Sequence, residues 1–344
     1  MTTNPFAPPP DEIGTEFDVI IIGAGPAGLC AAMYCGRGML RAVVLERGIP
    51  GGELLNTEKV EDYPGFISIL GPDLAEKMTD HARAFGADIR MEEVMSVVRR
   101  DDGIFEVITG TGAVFTAPAV ILTAGGTPNK LGIPGELEHA GRGVSYCAVC
   151  DGAFFKGETI AVIGGGDAAV EEADYLTRYA EKVYIVHRRD EFRAARVIQE
   201  RAFFNPKIEV LWNQKVLEML GDGKGLQRLE LEHTLTGSRS QLAVTGAFVF
   251  VGFTPNSGLV KQHLNHDPAG YIITNDRMET SIPGLYAAGD LRVQLTRQVT
   301  TAVGDATTAA IAVEKFLSAR KAAGASRVDV ERDPLPASAR RDPD

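Results

Sequence analysis

Two copies of one glycine-rich pattern constrain the fold of this chain more than any other feature. The first copy, Gly23-Ala-Gly25-Pro-Ala-Gly28, follows the apolar segment 17–22, and the second copy, at 164–169, follows the apolar segment 159–163. In each copy a strand leads into a glycine turn and then into a helix, which is the order of a dinucleotide-binding βαβ unit. A sequence that repeats this order is expected to fold into two nucleotide-binding domains.

The spacing of the glycines explains why a nucleotide is expected at each turn. Gly23 permits a tight turn, Gly25 lets a pyrophosphate approach the backbone, and Gly28 lets the helix pack closely on the strand. The amino terminus of the helix then faces the phosphates, where its unpaired N–H groups favour an anion. Glu46 supplies the acidic residue that the pattern requires about 20 positions after the glycines.

The residues that end the second strand of each unit differ in charge. Glu46 accepts hydrogen bonds from ribose hydroxyls and repels a 2′-phosphate, so the first site is expected to hold an adenine nucleotide without that phosphate. The segment His187-Arg188-Arg189 attracts a 2′-phosphate through charge and bidentate hydrogen bonds, with Arg193 as a further ligand. The second site is therefore predicted to bind NADP(H), and the alternative is a solvated basic stripe that opens a helix.

A pair of cysteines, Cys147 and Cys150, lies just ahead of the second glycine pattern and is followed by Asp151. A Cys-x-x-Cys pair in a reducing compartment is typical of a redox or a metal site. The sequence has four cysteines and no second such pair, so a four-ligand zinc site is not expected and no metal is predicted. We predict a redox-active dithiol with Asp151 as its acid or base, and a buried structural pair is the alternative. Cys30 and Cys35 are expected to be buried in the first helix.

The composition restricts the kinds of partner. A chain of 344 residues is long enough for two domains, and a formal net charge of −11 argues against nucleic acid, because phosphate binding requires a basic face. No apolar run approaches the roughly 18 residues that span a bilayer, and residues 1–12 lack the regions of a secretory signal. A soluble cytoplasmic protein with no membrane partner is expected.

The order of the patterns predicts that one domain is inserted into the other. The predicted fold class is α/β, with two Rossmann-like domains of three layers (ββα). Residues 16–128 and 254–322 are assigned to the first domain and 129–253 to the second, which carries the dithiol, and crossovers are expected near 127–131 and 253–256. Disordered extensions are expected over 1–15 and 323–344. The patterns also predict one strand over 88–98 and helices over 170–179 and 302–320.

These motifs resemble those of the low-molecular-weight thioredoxin reductases over nearly the whole chain, from about 17 to 317. The family's dithiol signature matches 147–152, its NADPH signature matches 164–169 with 187–193, and its carboxyl-terminal flavin signature matches 289–290 with 297–299. The segment 50–57 is similar to the loop that lies along the flavin. The resemblance implies a thioredoxin-disulfide reductase that uses NADPH and FAD.

The resemblance, together with the two glycine patterns, assigns ligand positions residue by residue. The positions expected to bind FAD are Gly23, Gly25, Pro26, Ala27, Gly28, Glu46, Arg47, Gly51, Gly52, Glu53, Leu54, Asn56, Thr57, Gly125, Gly289, Asp290, Arg297, Gln298 and Val299. The positions expected to bind NADPH are Gly164, Gly165, Gly166, Asp167, Ala168, Ala169, His187, Arg188, Arg189 and Arg193.

The resemblance also implies an order of events and a set of partners. Cys150 is expected to be the thiol near the flavin, and Cys147 the thiol that attacks the partner. The active form is expected to be a homodimer whose inserted domain rotates between two orientations. Thioredoxin is expected to dock near Arg142 and Phe154. Since the dithiol precedes the strand 159–163 and the glycine turn follows it, the two are expected toward opposite edges of one sheet.

Three positions depart from the family pattern. Glu53 stands where the flavin loop commonly has Gln, Tyr146 stands at an often small position before the dithiol, and Ala153 replaces the first residue of a Phe pair. The first departure places a charge near the flavin ring, and the third weakens the prediction of the partner.

Other functions are compatible with parts of this sequence. The same chemistry with a glutaredoxin-like or other thiol partner differs only in the docking surface. A ferredoxin- or flavodoxin-NADP reductase would lack the dithiol. A peroxiredoxin-dedicated flavoprotein would carry an extra domain before Gly23. A redox-silent flavoprotein that acts as a sensor would lack the dithiol or the nicotinamide site, and both patterns are intact here.

Overall fold

The computed structural model describes residues 14–57, 59–260 and 262–331, with side chains as far as Ala322. Most of the predicted amino-terminal extension over 1–15, and residues 332–344 of the predicted tail, lie outside the described residues.

The first domain is formed by elements from both ends of the chain. Its amino-terminal part contains β1 (Val19–Ile22), α1 (Pro26–Arg37), β2 (Ala42–Glu46), the 3₁₀ helix η1 (Gly52–Asn56), β3 (Lys59–Val60), β4 (Ile69–Leu70), α2 (Gly71–Ala84), β5 (Asp88–Met91), β6 (Val94–Arg99), β7 (Phe105–Thr109), β8 (Val114–Ala117) and β9 (Ala119–Leu122).

The chain then crosses to the second domain and returns. The crossing strand is β10 (Gly126–Pro128), and the second domain contains β11 (Val144–Ser145), α3 (Ala148–Asp151), the 3₁₀ helix η2 (Gly152–Phe155), β12 (Thr159–Gly164), α4 (Asp167–Leu176), β13 (Lys182–Val186), α5 (Arg196–Phe204), β14 (Ile208–Leu211), β15 (Gln214–Asp222), β16 (Gly225–His233), β17 (Arg239–Ala243) and β18 (Gly246–Phe250). The returning elements are β19 (Phe253–Pro255), β20 (Leu285–Ala287) and α6 (Val299–Glu331).

The first domain has three layers around a five-stranded parallel sheet of order β20-β9-β1-β2-β5. All four residues of β1 are buried, as expected for a parallel strand covered on both faces. Ile21 and its neighbours pack under α1 and α6, while Ile20 packs against the antiparallel sheet β6-β7-β8. Alanines at the contact between α1 and α6, such as Ala32 and Ala309, allow the two helices to approach closely.

The second domain repeats this architecture. Its parallel sheet has the order β11-β18-β12-β13-β14. Ile160 and Val162 face a core shared with α4, and Ala161 and Ile163 face a core shared with the antiparallel sheet β15-β16-β17. The prediction of two Rossmann-like ββα domains, one inserted into the other, is confirmed.

The two crossovers form a short ribbon between the domains. β10 and β19 pair in antiparallel fashion, with Thr127 opposite Thr254. Side chains reinforce the pairing, because the Thr254 hydroxyl donates to Asn129 Oδ1 at 2.6 Å and the Thr127 hydroxyl donates to Asn256 Oδ1 at 2.8 Å. The chain therefore passes between the domains through two paired strands and not through two separate loops.

Several predicted element boundaries differ from the structure. The segment 88–98, predicted as one strand, is divided into β5 and β6 at Glu92 and Glu93, because β5 pairs with β2 in the parallel sheet while β6 pairs with β7 in the antiparallel sheet. α4 starts three residues before the predicted position 170, because Gly166 is its N-cap. α6 continues through 323–331, where a disordered tail was predicted.

We expect Gly28→Ala to destabilise the first domain. A Cβ at this position overlaps the Gly23 carbonyl oxygen and lies 2.9 Å from the Thr123 hydroxyl, so α1 must move away from β1. Overpacking of this kind costs about 1–3 kcal/mol, which denaturant unfolding of the flavin-free protein measures.

Gly304→Ala is the matched control, because Gly304 lies in α6 with no atom within 4 Å of an added Cβ. That variant is expected to gain about 0.5–1 kcal/mol from the loss of a helical glycine. Equal stability of Gly28→Ala and the unmodified protein would contradict the close packing described for this turn.

Candidate active site

The predicted FAD residues converge because parallel strands end at one side of the sheet. β1 leads to Gly23, β2 ends at Glu46, β9 leads to Gly125 and β20 leads to Gly289 and Asp290. In the order β20-β9-β1-β2 these four strand ends are neighbours. The carboxyl ends of such strands are where α/β proteins bind nucleotides.

The first glycine turn has the geometry that a pyrophosphate requires. Gly23 has a φ of +102°, a conformation that favours glycine, and Gly28 leaves no room for a side chain. Gly25, the N-cap of α1, is the open position, since the nearest atom to an added Cβ is 3.8 Å away on Gly52. The backbone at Gly25 is thus accessible at the amino terminus of α1, as an anion needs.

Glu46 anchors this turn in addition to ending β2. Its carboxylate accepts the Ala24 N–H at 2.7 Å and the Gly48 N–H at 3.0 Å. Each carboxylate oxygen has two acceptor positions, so both oxygens keep one for ribose hydroxyls. The residue fits the predicted adenosine site while also fixing the backbone beside it.

The loop predicted to lie along the flavin rests on the same turn. The Gly51 N–H donates to the Ala24 carbonyl at 2.8 Å, and a Cβ on Gly52 would lie 3.0 Å from the Gly25 Cα. Gly51 and Gly52 have φ values of +139° and +56°, which explains why glycines stand there. These contacts place η1 directly beside the predicted pyrophosphate position.

Two carboxyl groups near this loop have raised pKa values. Burial raises the pKa of Glu53, although the hydrogen bond from Asn56 and the charge of Arg47 oppose the shift. Burial also raises the pKa of Asp290 to about 6, with Arg297 opposing and Glu53 adding to the shift. Because Glu53 stands where the family commonly has Gln, this loop has two acidic side chains beside it, Glu53 and Asp290, where a glutamine would leave one.

The remaining predicted FAD positions lie at the start of α6. The Gly289 N–H donates to the Asp305 carboxylate at 3.2 Å, and the Arg297 guanidinium lies 4.0 Å from the centroid of the Tyr271 ring. Gln298 accepts the Thr301 hydroxyl just before α6 begins at Val299. These bonds hold 289–299 between β20 and the last helix.

The second glycine turn repeats the geometry of the first. Gly164 has a φ of +154°, and Gly166 has no atom within 4 Å of an added Cβ and is the N-cap of α4. Ala169 occupies the place of the third glycine, where it packs against Gly164. The Asp167 carboxylate accepts the Ala195 N–H at 2.7 Å, which ties the turn to the segment that follows β13.

His187 and the arginines after it lie in different environments: His187 is buried and the arginines are exposed. His187 is buried beneath Gly165, its Nε2 lies 2.9 Å from the Glu191 carbonyl, and burial lowers its pKa. Arg188 and Arg189 are exposed at the end of β13. Of the predicted NADPH residues in this segment, the arginines present charge to solvent and His187 supports the turn.

Cys147 and Cys150 form a disulfide, and their Cα atoms are 5.4 Å apart. Cys147 is the N-cap of α3, and its Sγ accepts the Cys150 N–H at 3.1 Å. The Ser145 hydroxyl accepts the Cys147 N–H at 3.0 Å. Asp151 is the last residue of α3 and therefore directly follows the disulfide.

The prediction that dithiol and nicotinamide turn lie toward opposite edges of one sheet is wrong. β11, a two-residue strand that the sequence did not indicate, pairs in parallel with β18, with Ser145 opposite Phe248. β18 in turn pairs Phe250 with Gly164. The dithiol therefore begins at the same end of the sheet as the glycine turn, two strands away from it.

The sulfur atoms contact the flavin loop through Asn56. The Asn56 Oδ1 lies 3.4 Å from Cys147 Sγ and 3.8 Å from Cys150 Sγ. The Asn56 Nδ2 donates to the Glu53 carboxylate at 3.2 Å. Asn56 was predicted as a flavin residue, and the structure brings it together with the dithiol as well.

Sequence reasoning missed Glu136, which lies between the crossover and the dithiol. It is 1% exposed and accepts the Leu131 N–H at 2.9 Å, the Gly132 N–H at 2.7 Å and the Tyr146 hydroxyl at 3.0 Å. Burial and Glu136 raise the pKa of Tyr146 to about 12, so the hydroxyl remains a donor. Tyr146, which departs from the family pattern, is thus hydrogen-bonded to Glu136 within the second domain.

Sequence reasoning also missed an ion pair between the domains. Arg201 on α5 lies 2.6 Å from the Glu61 carboxylate, which follows β3. Burial and the charges of Asp167 and Asp62 raise the pKa of Glu171 to about 7, with Arg201 opposing. The contact joins the second domain to the flavin-loop side of the first.

The predicted docking residues lie on the outer surface of the second domain. Phe154 is 80% exposed, and Arg142 is exposed with its guanidinium donating to the Glu138 carbonyl at 2.7 Å. A shallow cleft of about 350 Å³ beside them is lined by Arg142, Phe155, Lys224 and Thr245 among others.

The described residues contain no group of three or more His, Cys, Asp or Glu side chains that could hold a metal ion. Within the same residues, no helix is both long and apolar enough to cross a membrane. The buried positions expected for Cys30 and Cys35 are confirmed.

Comparison with known proteins agrees with this geometry. The pyridine nucleotide-disulphide oxidoreductase family profile matches residues 17–306. A thioredoxin reductase of Listeria monocytogenes is 49% identical over 308 residues, which cover 89% of this chain and 95% of the relative.

Two solved structures have similar identity and different TM-scores. The Lactococcus lactis thioredoxin reductase in its FR conformation is 45% identical, covers 88% of this chain and 99% of its own, and has a TM-score of 0.86. The Streptococcus pyogenes thioredoxin reductase is 43% identical, covers 89% and 99%, and has a TM-score of 0.59. On the family profile and these relatives, the chain belongs to the thioredoxin reductases, flavoprotein disulfide reductases that use a pyridine nucleotide.

Proposed function

We propose that this chain passes electrons from NADPH through FAD and the Cys147–Cys150 dithiol to oxidised thioredoxin. The observation that carries the proposal is the contact between the disulfide and η1, the loop seated on the first nucleotide turn. This contact joins a dithiol to a nucleotide site within one chain. The membership in the thioredoxin reductases supports thioredoxin as the acceptor.

The first glycine turn is the proposed FAD site. The open backbone at Gly25 and the amino terminus of α1 would hold the pyrophosphate, and Glu46 would hold the ribose. Asp290 and η1 would flank the rest of the cofactor. When bound, FAD supplies a two-electron relay between nicotinamide and disulfide.

The second glycine turn is the proposed NADPH site. Gly166 and the amino terminus of α4 would hold the pyrophosphate, while Arg188, Arg189 and Arg193 would bind the 2′-phosphate. Exposed arginines suit a ligand that arrives from solvent, and the planar guanidinium matches phosphate oxygens in a bidentate manner.

The dithiol then exchanges with the partner. Two electrons and two protons convert the Cys147–Cys150 disulfide into two thiols. Cys147, as thiolate, attacks one sulfur of the partner disulfide, which breaks the partner's S–S bond and forms a mixed disulfide. Cys150 then attacks Cys147, which reforms the internal disulfide and releases the reduced partner. Asp151, adjacent to Cys150, is the proposed proton donor and acceptor.

The partner is proposed to dock on the surface that carries Arg142 and the exposed Phe154. The adjacent cleft offers both an apolar wall at Phe155 and a charge at Lys224. Ala153, which replaces a Phe of the family pattern, removes part of that apolar surface, so a glutaredoxin-like partner is the alternative that a panel of partners tests.

The two domains are proposed to rotate about the β10–β19 ribbon. The two solved relatives differ by only 2% in identity to this chain, yet their TM-scores are 0.86 and 0.59. Because relatives this similar keep each domain fold, the difference supports a different placement of one domain relative to the other. Paired strands at a domain crossing can absorb such a change at a few residues.

The domain limits proposed here are 16–128 with 254–322 for the FAD domain and 129–253 for the NADPH domain. A homodimer in the cytoplasm is proposed from the resemblance to the family and from the use of a dithiol, which needs a reducing compartment for its turnover.

We expect Cys150→Ser to separate the two half-reactions. NADPH should still bleach the flavin absorbance, because that step does not involve sulfur, while reduction of thioredoxin should fall to background. Stopped-flow absorbance and a coupled thioredoxin assay measure the two steps. Cys30→Ser, at a buried cysteine far from the disulfide in sequence, is the control and should retain both. Full thioredoxin reduction by Cys150→Ser would exclude the dithiol as the electron carrier.

We expect Arg188→Ala with Arg189→Ala to abolish most of the preference for NADPH. A hydrogen bond to a charged group contributes about 1.5–3 kcal/mol, so KM for NADPH should rise at least about tenfold while KM for NADH changes little. Arg196→Ala, an exposed arginine at the start of α5, is the control. Equal use of NADH and NADPH by the unmodified enzyme would refute the assignment of this segment.

We expect a cross-link between the domains to stop repeated turnover. Glu61→Cys with Arg201→Cys places two thiols at the contact between domains, and a short cleavable bis-maleimide can join them while Cys147–Cys150 is still oxidised. Steady-state thioredoxin reduction should be lost on linking and recovered on cleavage. The single variant Glu61→Cys, treated alike, should stay active. Unchanged turnover in fully linked enzyme would rule out rotation.

A further inference from the structure

Asn56 presents an acceptor to the sulfur of Cys147, and the orientation of its amide is determined by a neighbour. An ionised carboxylate accepts hydrogen bonds only, so the Asn56 Nδ2 must face Glu53. The Asn56 Oδ1 must then face the sulfurs, 3.4 Å from Cys147 Sγ. This orientation belongs to the ionised Glu53, because a protonated carboxyl group can also donate to the Asn56 oxygen.

The same sulfur receives a donor from its own domain. The Cys150 N–H points at Cys147 Sγ at 3.1 Å. A donor stabilises a thiolate, whereas an acceptor such as the Asn56 oxygen stabilises the protonated thiol, because only the thiol carries a hydrogen to share. The donor lies in the second domain and travels with Cys147, while the acceptor lies in the first domain and stays behind if the domains separate.

We propose that Asn56, oriented by Glu53, is a positioning residue that keeps Cys147 as a thiol while the dithiol lies against the flavin loop and releases it as a nucleophile when the domains move apart. The proposal rests on the proposed function, since it uses the dithiol and the rotation. Two electrons and two protons open the disulfide, and the Cys147 S–H then donates to the Asn56 Oδ1.

Separation of the domains removes the Asn56 Oδ1 acceptor from Cys147 Sγ, while the Cys150 N–H donor stays beside that sulfur. Cys147 then loses its proton to solvent more easily, and the thiolate attacks the disulfide of the partner. Cys147 is thus a protonated thiol beside the flavin loop and becomes a reactive thiolate where the partner docks. Thiolate formation against the flavin loop would otherwise favour return of the electrons.

The charged groups around this contact lie on both domains. Glu53 on η1 acts through Asn56, and Arg47 and Asp290 act on Glu53. On the dithiol side, Asp151 ends α3 and directly follows Cys150. Substitutions at Asn56 leave all four of these groups in the chain and remove the hydrogen bond that Glu53 accepts from the amide.

The test measures the reactivity of Cys147 in the holoenzyme. The enzyme is reduced without oxygen, the reductant is removed, and iodoacetamide labelling is followed against pH by tandem mass spectrometry that separates Cys147 from Cys150. Asn56→Leu removes the acceptor with little change in size, and Cys147 should label about fivefold faster below its pKa, as loss of one hydrogen bond predicts. Asn56→Asp keeps the acceptor and adds a negative charge, so labelling should be slower than in the unmodified enzyme.

Glu53→Gln tests the orientation of the amide. A glutamine can donate to the Asn56 oxygen, which lets the amide turn its N–H groups toward the sulfur, so Cys147 should label faster, as in Asn56→Leu. Asn265→Leu makes the same chemical change at an exposed asparagine and should leave labelling unchanged. Cys30 and Cys35 are buried and do not compete for the reagent.

The outcomes separate this proposal from the proposed function. Opposite shifts in Asn56→Leu and Asn56→Asp support it, and equal labelling in both variants and the unmodified enzyme overturns it. Shifts in the same direction also overturn it, because they indicate a general loosening of the contact. NADPH-dependent thioredoxin reduction by the same unmodified preparation is measured in parallel, and its absence would instead refute the proposed function.

Discussion

The chemistry of this chain depends on the fact that neighbouring parallel strands end at the same side of a sheet. In the first domain this brings Gly23, Glu46, Gly125 and Asp290, which lie far apart in sequence, to one edge. In the second domain the same rule places the glycine turn and the dithiol at one end, because β11 joins the sheet in parallel. The dithiol and the first glycine turn belong to different sheets, so neither sheet alone can bring them together. They meet through the contact between the domains at η1. The placement of the domains therefore decides which groups can react.

The sequence predicted those parts of the site whose requirements are local. A glycine with positive φ, a small residue at the third position and an open helix amino terminus are all set within six residues, so the patterns at 23–28 and 164–169 were sufficient to predict both turns. The sequence also predicted an acidic residue at the end of β2 and basic residues at the end of β13, because strand ends in a βαβ unit have fixed roles. The separation of β5 from β6 at Glu92 was missed, since the two strands pair with different partners, β2 and β7, and those partners lie outside the segment.

The parts that were not predicted depend on contacts between distant residues. β11 is two residues long and has no periodicity of its own, and only its partner β18 makes it a strand. The ion pair between Glu61 and Arg201 joins exposed residues that look like ordinary surface charges in the sequence. Glu136 left a weak signal, a carboxylate between a glycine turn and an apolar residue, but its burial follows from three donors that converge only after folding.

Carboxylates in this acidic protein bind N–H and O–H groups at the positions that define the site. Glu46 binds the backbone of the first turn, Glu136 binds the backbone at the crossover, and Asp305 binds the Gly289 N–H. Each satisfies donors that would be costly to bury without a partner. Glu53 does the same for the amide of Asn56, and here the choice of acid over the family's glutamine has a chemical consequence. A glutamine has both a donor and an acceptor and permits either orientation of the facing amide, whereas a carboxylate permits one, with the amide oxygen directed at the sulfurs. The acid at position 53 therefore defines the environment of the dithiol through Asn56.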